Sequence, residues 1–420
     1  MDIAGQSLNN IAESKEESLY IQKLNEQIRL AAELPLTKAI TLPREVYTDP
    51  GYFRYESEAV LKADWICIAH VSQLKEPGNY VALTLFNEPL VALHGTDGTI
   101  RVLSRVCPHR ASDIMPESMG FAELGKVNSL VCPYHRWSFD FTGRLRGCPE
   151  MHRADDFDKA DWRLPEIRSE LWQGFVFVNL GGNARPLAEQ YAEFGELVAP
   201  WSIADLEVVI AMEWDCDFNW KVMIENWMES YHHLGTHHKT LHPLMPAQNT
   251  WTDPGYSHFI RAHLPFADDL ADQLRYADAA GDKLPGFSPI RGLPLKRRLE
   301  WELYIGFPCF MVLTAPDRVI WYRLQPESAD RCRLLTTILV TRESLQQPDY
   351  SERLASETAM LREFHVEDML VNSAVQRGLR SRHAVRGRLS HLEEPIWLIQ
   401  RYLAARTGGS YPAPGSAGTP

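Results

Sequence analysis

Between Asn219 and Leu234 the apolar residues Trp220, Ile224, Trp227, Tyr231 and Leu234 recur at steps of four and three. That period predicts a helix with one apolar stripe. Asn226, Glu229 and His232 step by three along a second, polar face. A plain surface helix would carry Lys, Glu and Gln there. His237 follows His232 at i+5, about 140° away on an ideal helix. The two imidazoles therefore converge only if the helix ends or widens between them, and Gly235 sits where that is permitted. The stretch is a candidate metal-binding segment. Its plain alternative is a His-rich helix end whose side chains meet the last carbonyls.

Elsewhere the pattern divides the chain. Met1 to Leu36 predicts a flexible start and then a helix with a weak apolar side at Leu19, Ile21, Leu24 and Ile28 to Leu30. Leu42 to Tyr52, punctuated by Pro43, Pro50 and Gly51, is an irregular entry segment. From Trp65 to Leu180 short β-rich runs alternate with turns. Tyr80 to Phe86 precedes a turn at Asn87-Glu88-Pro89, then Leu90 to His94, with hairpins marked by Asp97-Gly98 and Thr142-Gly143 and a further strand at Gly174 to Leu180. These predict a small antiparallel β domain. Pro186 to Glu196 is helical and Leu206 to Phe218 strand-like. Asp253 to Lys296 predicts loop with short helices; Trp301 to Leu313, Val319 to Leu324 and Leu334 to Thr341 predict strands. Tyr350 to Leu379 is a long helix, Glu394 to Ala405 a short one, and Arg406 to Pro420 a Gly/Pro/Ser tail expected to be disordered.

With 420 residues, 45% of them apolar, the chain can build two or three domains around sizeable cores. No apolar run approaches about 18 residues, so no membrane span is expected. The polar first residues lack the apolar core of a secretory signal. A net charge of -12 disfavours nucleic acid as a partner. The seven cysteines, Cys67, Cys107, Cys132, Cys148, Cys216, Cys309 and Cys332, are odd in number and scattered. They suit a reducing cytoplasm with thiols free for metal rather than a disulfide framework.

Inside the β domain lie Cys107-Pro108-His109-Arg110 and Cys132-Pro133-Tyr134-His135-Arg136-Trp137. Two thiolates and two imidazoles could hold a tetrahedral zinc. They could also hold a [2Fe–2S] centre, with Cys107 and Cys132 on one iron and His109 and His135 on the other. Cys-x-His followed by Cys-x-x-His is the Rieske pattern. A zinc-stabilised binding protein and a ferredoxin-like electron carrier remain as other classes. Colour separates the first, because zinc does not absorb in the visible, and the second half of the chain separates the second.

From Pro43 to Tyr402 the chain resembles the large (α) subunit of the Rieske non-heme iron oxygenases, the aromatic-ring-hydroxylating dioxygenase superfamily. Within it, Glu225 to His232 looks more like the choline, carnitine and glycine-betaine monooxygenase branch than the ring-dihydroxylating branch. The sequence departs from the usual pattern in three places. Arg110 and Arg136 stand where glycine is usual, Glu229 where aspartate is usual, and the connection from His109 to Cys132 is longer. The resemblance implies an α+β fold, a small antiparallel β Rieske domain inserted in a catalytic domain whose antiparallel sheet is flanked by helices. The divisions would be an N-terminal segment 1–57 packing on the catalytic domain, a Rieske domain 58–182, a catalytic domain 183–405 and the tail 406–420.

The resemblance also implies a mononuclear Fe(II) held by two histidines and a carboxylate, with positions left open. His232 and His237 match the histidines and Asp368 is the carboxylate. Asp368 stands out independently, because it interrupts the stripe Leu361, Phe364, Val371, Val375 of the long helix. A buried carboxylate is costly unless paired or bound to metal; an Arg or N–H partner is the plain alternative. Glu367 points about 100° away and is the lesser candidate. His233, His238 and His242 fall outside the spacing, and His365 lies one turn before Asp368. Glu229 and Asn226 are assigned catalytic roles without ligating metal. Glu229 would bridge His135 of one chain and His232 of another in a ring of three. Its plain alternative is an exposed Glu paired with a Lys.

The activity implied is that of a terminal oxygenase. It would use O2 and electrons from a separate NAD(P)H-dependent reductase or ferredoxin to hydroxylate a small organic substrate, with oxidative demethylation as one outcome. The alternative is cis-dihydroxylation of an aromatic ring. Residues 101–153 hold eight basic against five acidic side chains, net +3, leaving -15 elsewhere. That surplus could dock an acidic electron donor or merely pair locally. The pocket wall is expected from Phe307 to Leu313, Trp251, Tyr322 and the loop after His242, and a cationic substrate would want an aromatic cage.

Overall fold

A computed structural model describes residues 3–255, 257–280 and 286–408. They fall into two compact units, Lys62–Val208 and Met1–Leu61 with Val209–Pro420.

In the unit Lys62–Val208 the β-rich runs pair as three small sheets. Five strands stand in the order Leu124–Lys126, Asn79–Leu85, Glu88–His94, Ile100–Ser104 and Glu166–Ile167. Leu130–Val131, Ser138–Phe139 and Leu145–Gly147 form a second sheet, and Ile66–His70, Phe175–Val178 and Ser169–Trp172 a third. The tight turn of the first hairpin falls at Phe86 and Asn87, both with positive φ (51° and 66°), rather than at Asn87 to Pro89. Val91, Leu93, Leu103, Leu130, Trp137 and Phe139 form its core. The segment after residue 182 clusters with this unit. Glu170 accepts the Leu187 N–H at 2.7 Å, and the Trp172 ring lies 5.3 Å from Tyr191 and 4.8 Å from Phe194.

The other unit is built on a seven-stranded sheet, in the order Glu207–Cys216, Arg331–Val340, Val319–Ser328, Phe310–Thr314, Glu300–Gly306, Phe259–Pro265 and Trp251–Thr252. Trp301 to Leu313 is not one strand, because the chain turns through Phe307-Pro308-Cys309 and returns as a hairpin. The segment 253–296, expected as loop with short helices, contains the helix Asp268–Ala280 and also contributes the strand Phe259–Pro265. Four helices matter here: α1 (Ile3–Ala32), α2 (Trp220–Met228), α3 (Tyr350–Leu379) and α4 (Glu394–Arg406). Among the described residues no helix is long and apolar enough to cross a membrane. Residues 409–420 of the expected tail lie outside the described residues.

Helix α2 starts where Asn219 caps the Lys221 N–H at 2.9 Å. It ends at Met228, well short of Leu234, and Glu229 is extended (φ -105°, ψ 158°). Tyr231 and Leu234, assigned to the buried stripe, are 46% and 51% exposed. On α3 the buried residues are Leu361, Phe364, His365, Asn372 and Gln376, whereas Val375 is 43% exposed. The inward face of α3 is thus largely polar, and it meets α2 through named bonds. Asn372 Nδ2 donates to Asn226 Oδ1 (3.2 Å), and the Asn219 N–H donates to Gln376 Oε1 (3.0 Å). One to two turns earlier, the same face of α3 packs on the sheet. The His365 ring stacks on Tyr322 at 5.4 Å, and His365 Nε2 lies 3.2 Å from Thr336 Oγ1.

Lys221 on α2 is fully buried. Its ammonium lies 2.8 and 2.6 Å from the two Glu56 oxygens, with the rings of Tyr47, Tyr52 and Trp220 within 6.0 Å. Trp220 Nε1 also donates to Glu56, at 2.8 Å. Removing one partner of a buried ion pair leaves an uncompensated charge. Glu56→Ala is therefore expected to cost about 3–5 kcal/mol, read from the urea midpoint. The double variant Glu56→Leu/Lys221→Met should recover most of the loss. A Glu56→Ala midpoint equal to wild type would contradict this account.

Candidate metal centres

The two Cys/His loops of the β unit are built alike. In the first, Cys107 N–H donates to Ser112 O and Ala111 N–H to Cys107 O, both at 2.9 Å. In the second, Cys132 N–H donates to Trp137 O (2.8 Å) and Arg136 N–H to Cys132 O (3.0 Å). Each loop needs one left-handed residue to close: Ala111 (φ 54°) in the first and Arg136 (φ 63°) in the second. Arg136 therefore occupies a conformation that glycine would take without strain. Arg110 does not, because the positive φ has moved one residue on.

Both cysteines lie in the core of the unit. The His109 and His135 rings meet edge to face, 4.6 Å between centroids, and Trp137 stacks flat on His109 at 4.7 Å. Burial, with Cys132 beside it, pushes the Cys107 thiol up to about 11. His135 Nδ1 is buried and has no hydrogen-bond partner among the described residues. An orphaned imidazole nitrogen beside two buried thiols is the donor set a metal cluster would satisfy.

In the other unit, the break at Glu229 turns His232 and His237 toward α3. His237 Nε2 lies 3.0 Å and His232 Nε2 3.6 Å from Asp368 Oδ1. One donor atom from each of the three falls within 4.8 Å of the other two. The far nitrogen of each ring meets a carboxylate. His232 Nδ1 is 2.8 Å from Glu229 Oε1, and His237 Nδ1 is 2.7 Å from Glu367 Oε2. Burial disfavours charge on His232, but Glu229 and then Asp368 reverse that, and its pKa is raised. Burial pushes Asp368 up, but the two histidines, and His365 behind them, bring it below the ordinary carboxylate value. Two imidazoles and one carboxylate converge from one side, as a facially coordinated divalent cation requires.

The remaining candidates fall around this group. Asn226 lies on the seam with Asn372 rather than against a ligand nitrogen. His233 is buried near Met245 O and, by burial and the two neighbouring imidazoles, pushed down to about 3. His365 is held neutral by burial, its pKa down to about 4. Trp251, expected in the pocket wall, instead stacks on His263 at 4.4 Å. His263, Glu300 and Glu302 form a second buried group with metal-compatible spacing. There the Arg261 guanidinium already sits 2.8 Å from Glu302 and 3.1 Å from Asp253, so positive charge is supplied by protein. Sequence reasoning missed Glu367 as a partner of His237. The signal available was an acid adjacent to Asp368 together with Thr240 three residues after His237.

Comparison with known families decides between zinc, a carrier and an oxygenase. Residues 64–165 match the Rieske [2Fe–2S] domain, and residues 203–409 match the ring hydroxylating alpha subunit catalytic domain. The chain belongs to the Rieske non-heme iron oxygenases. This Rieske oxygenase is 34% identical over 197 residues to the carnitine monooxygenase oxygenase subunit of Acinetobacter pittii, covering 46% of this chain and 52% of that one. It is 29% identical over 210 residues to the glycine betaine monooxygenase oxygenase subunit of Chromohalobacter salexigens, covering 50% and 46%. The chain thus spans about half the length of the curated relatives it matches. A solved quaternary ammonium Rieske monooxygenase, described for carnitine oxidation and inter-subunit electron transfer, superimposes with a TM-score of 0.74 at 25% identity. That superposition covers 89% of this chain and 99% of that one. The Rieske domain and the catalytic domain account for the two cofactors, a [2Fe–2S] cluster and a mononuclear iron.

Two variants test the donor sets. Cys107→Ser should abolish the visible Rieske absorption while far-UV circular dichroism is retained; an unchanged Rieske EPR signal would refute its place in the cluster. Asp368→Ala should lower mononuclear iron content and turnover with the Rieske spectrum intact, and iron retained at wild-type stoichiometry would remove Asp368 from the ligand set.

Proposed function

We propose that this chain is the oxygenase subunit of a quaternary-ammonium monooxygenase. Cys107, His109, Cys132 and His135 would hold the cluster, and His232, His237 and Asp368 the iron. The observation that carries the reading is the convergence of His232, His237 and Asp368 donor atoms within 4.8 Å. When bound, the cluster would supply electrons and the iron the redox chemistry that activates dioxygen. The overall change balances as R–H, O2, two electrons and two protons giving R–OH and water. If the hydroxylated carbon is an N-methyl group, it leaves as formaldehyde and the amine is demethylated.

The chain's own residues supply position and charge. Glu229 holds His232 through Nδ1 and, on this reading, meets the His135 imidazole of a neighbouring copy in a ring of three. Tyr231 and Leu234 on the ligand segment, and Val366 and Leu370 one turn apart on α3, are exposed apolar side chains of the kind protein contacts cover. The names of the relatives favour a trimethylammonium substrate. Trp227 and Tyr322 support it, because their rings meet edge to face at 5.2 Å. Asp368 lies near enough to Tyr322 to add to the upward shift that burial gives its phenol. Aromatic faces beside a carboxylate suit a quaternary ammonium head.

Electrons would come from a separate NAD(P)H-dependent reductase. Several arginines of the basic segment pair locally: Arg101 with Asp97, Arg105 with Asp113 and Arg146 with Asp140. Arg110, Arg136, Arg144 and Arg153 form no ion pair among the described residues and could steer an acidic donor domain.

The deciding assay supplies purified protein with a surrogate reductase, NADH and carnitine, glycine betaine, choline or naphthalene. Coupled NADH oxidation with product from an ammonium substrate is expected. A cis-diol from naphthalene with no ammonium turnover would overturn the reading. In single turnover, Glu229→Gln should keep both metal contents and slow reoxidation of the pre-reduced Rieske centre by at least about tenfold, followed by stopped-flow absorbance. Wild-type reoxidation would remove the bridging role.

A further inference from the structure

Both nitrogens of His237 are gripped by consecutive residues of α3. Asp368 Oδ1 is 3.0 Å from Nε2 and Glu367 Oε2 is 2.7 Å from Nδ1. The same Glu367 oxygen accepts the Thr240 hydroxyl at 2.7 Å, and Thr240 is placed by its own N–H donating to His237 O at 3.2 Å. His237, Thr240 and Glu367 thus close a ring of three contacts. The His237 side chain is almost completely buried (1%) and the Glu367 side chain partly so (30%). Thr240 Oγ1 also lies 3.4 Å from Nδ1, and the rings of His232, His233 and Phe364 pack edge to face around His237, but Glu367 makes the shortest polar contact to the ring. A carboxylate on Nδ1 requires a hydrogen there; with a metal held between Nε2 and Asp368, the neutral ring then has its lone pair on Nε2.

We propose that Glu367, anchored by Thr240, is the positioning residue for His237. It fixes the tautomer and ring plane in which Nε2 presents its lone pair to the iron. The assignment rests on His237 being an iron ligand, as in the function proposed above. It gives the two histidines separate carboxylates with separate duties. Glu229 reaches His232 three residues later within one segment, whereas Glu367 reaches His237 across 130 positions of chain. Glu367 therefore ties the orientation of one ligand to the helix that supplies another. Glu367 also remains a non-ligand, since its oxygen is on the ring nitrogen that points away from Asp368.

The test measures iron binding directly. Fe(II) dissociation constants of the purified protein are obtained by chelator competition, with Rieske absorbance as the internal folding reference. The nitric oxide adduct of the iron is then examined by EPR. Glu367→Ala should weaken Fe(II) about 10- to 100-fold and broaden or split the EPR signal as the ring loses its fixed plane. Glu367→Gln keeps an acceptor for Nδ1–H and should recover most of the affinity and the wild-type signal. Thr240→Val should fall between them. Wild-type affinity and a wild-type EPR signal in Glu367→Ala would overturn the positioning role. If Asp368→Ala also left Fe(II) affinity unchanged, the iron reading itself would fail, so the two failures are distinguished.

Discussion

The Glu229 carboxylate accepts the His232 backbone N–H at 3.0 Å and the His232 ring nitrogen at 2.8 Å. That double contact offers the chain an alternative to one more helical turn. The rest of the proposed iron site follows from it. On a continuous helix His232 and His237 would face about 140° apart. With the helix stopped at Met228 and a short 3-10 turn after it, both rings reach the same Asp368 oxygen. The glycine at 235 is not what permits this. Gly235 has negative φ, and a side chain there would meet almost nothing.

The height of Asp368 against those histidines is set by the seam between α2 and α3. Asn226 accepts from Asn372, and the Asn219 N–H donates to Gln376, one turn further along α3. Buried amides left unpaired are costly, so the helices have one satisfied register. Sliding α3 by one turn would move Asp368 by about 5.4 Å and break both contacts. Asn226, assigned a catalytic role from its place in the motif, takes part in this zipper.

What could be read from the sequence was mostly local. The Cys-x-His and Cys-x-x-His loops need only a few residues each, and the long helix has the bounds its period indicates, Tyr350–Leu379. The end of α2 was not legible, because Tyr231 and Leu234 continue the apolar period while the real determinant is a carboxylate contact. The strand Phe259–Pro265 was hidden by Arg261 and His263. Its polar side chains are held against Asp253, Glu300 and Glu302, and polar residues in a covered strand mimic the polarity of a loop. Glu367 was set aside on its angle round the helix. The angle holds, but the glutamate arm is long enough to reach the other nitrogen of the ring that Asp368 touches.

The separation of the proposed iron donors along the chain would make metal loading a folding event. His232 and His237 are near neighbours in sequence, but His237 and Asp368 are 131 positions apart. An unfolded chain can offer a metal the histidine pair; it can offer the full set only by closing that long loop against chain entropy. Asp368 is thus what makes the site specific to the native state, and affinity gained through it is delivered as stability. By mass action, free metal at a hundred times the dissociation constant would add about 2.7 kcal/mol to the native state. A cell short of iron would then hold this chain in a less durable form as well as an idle one, and turnover of the polypeptide would follow the metal supply.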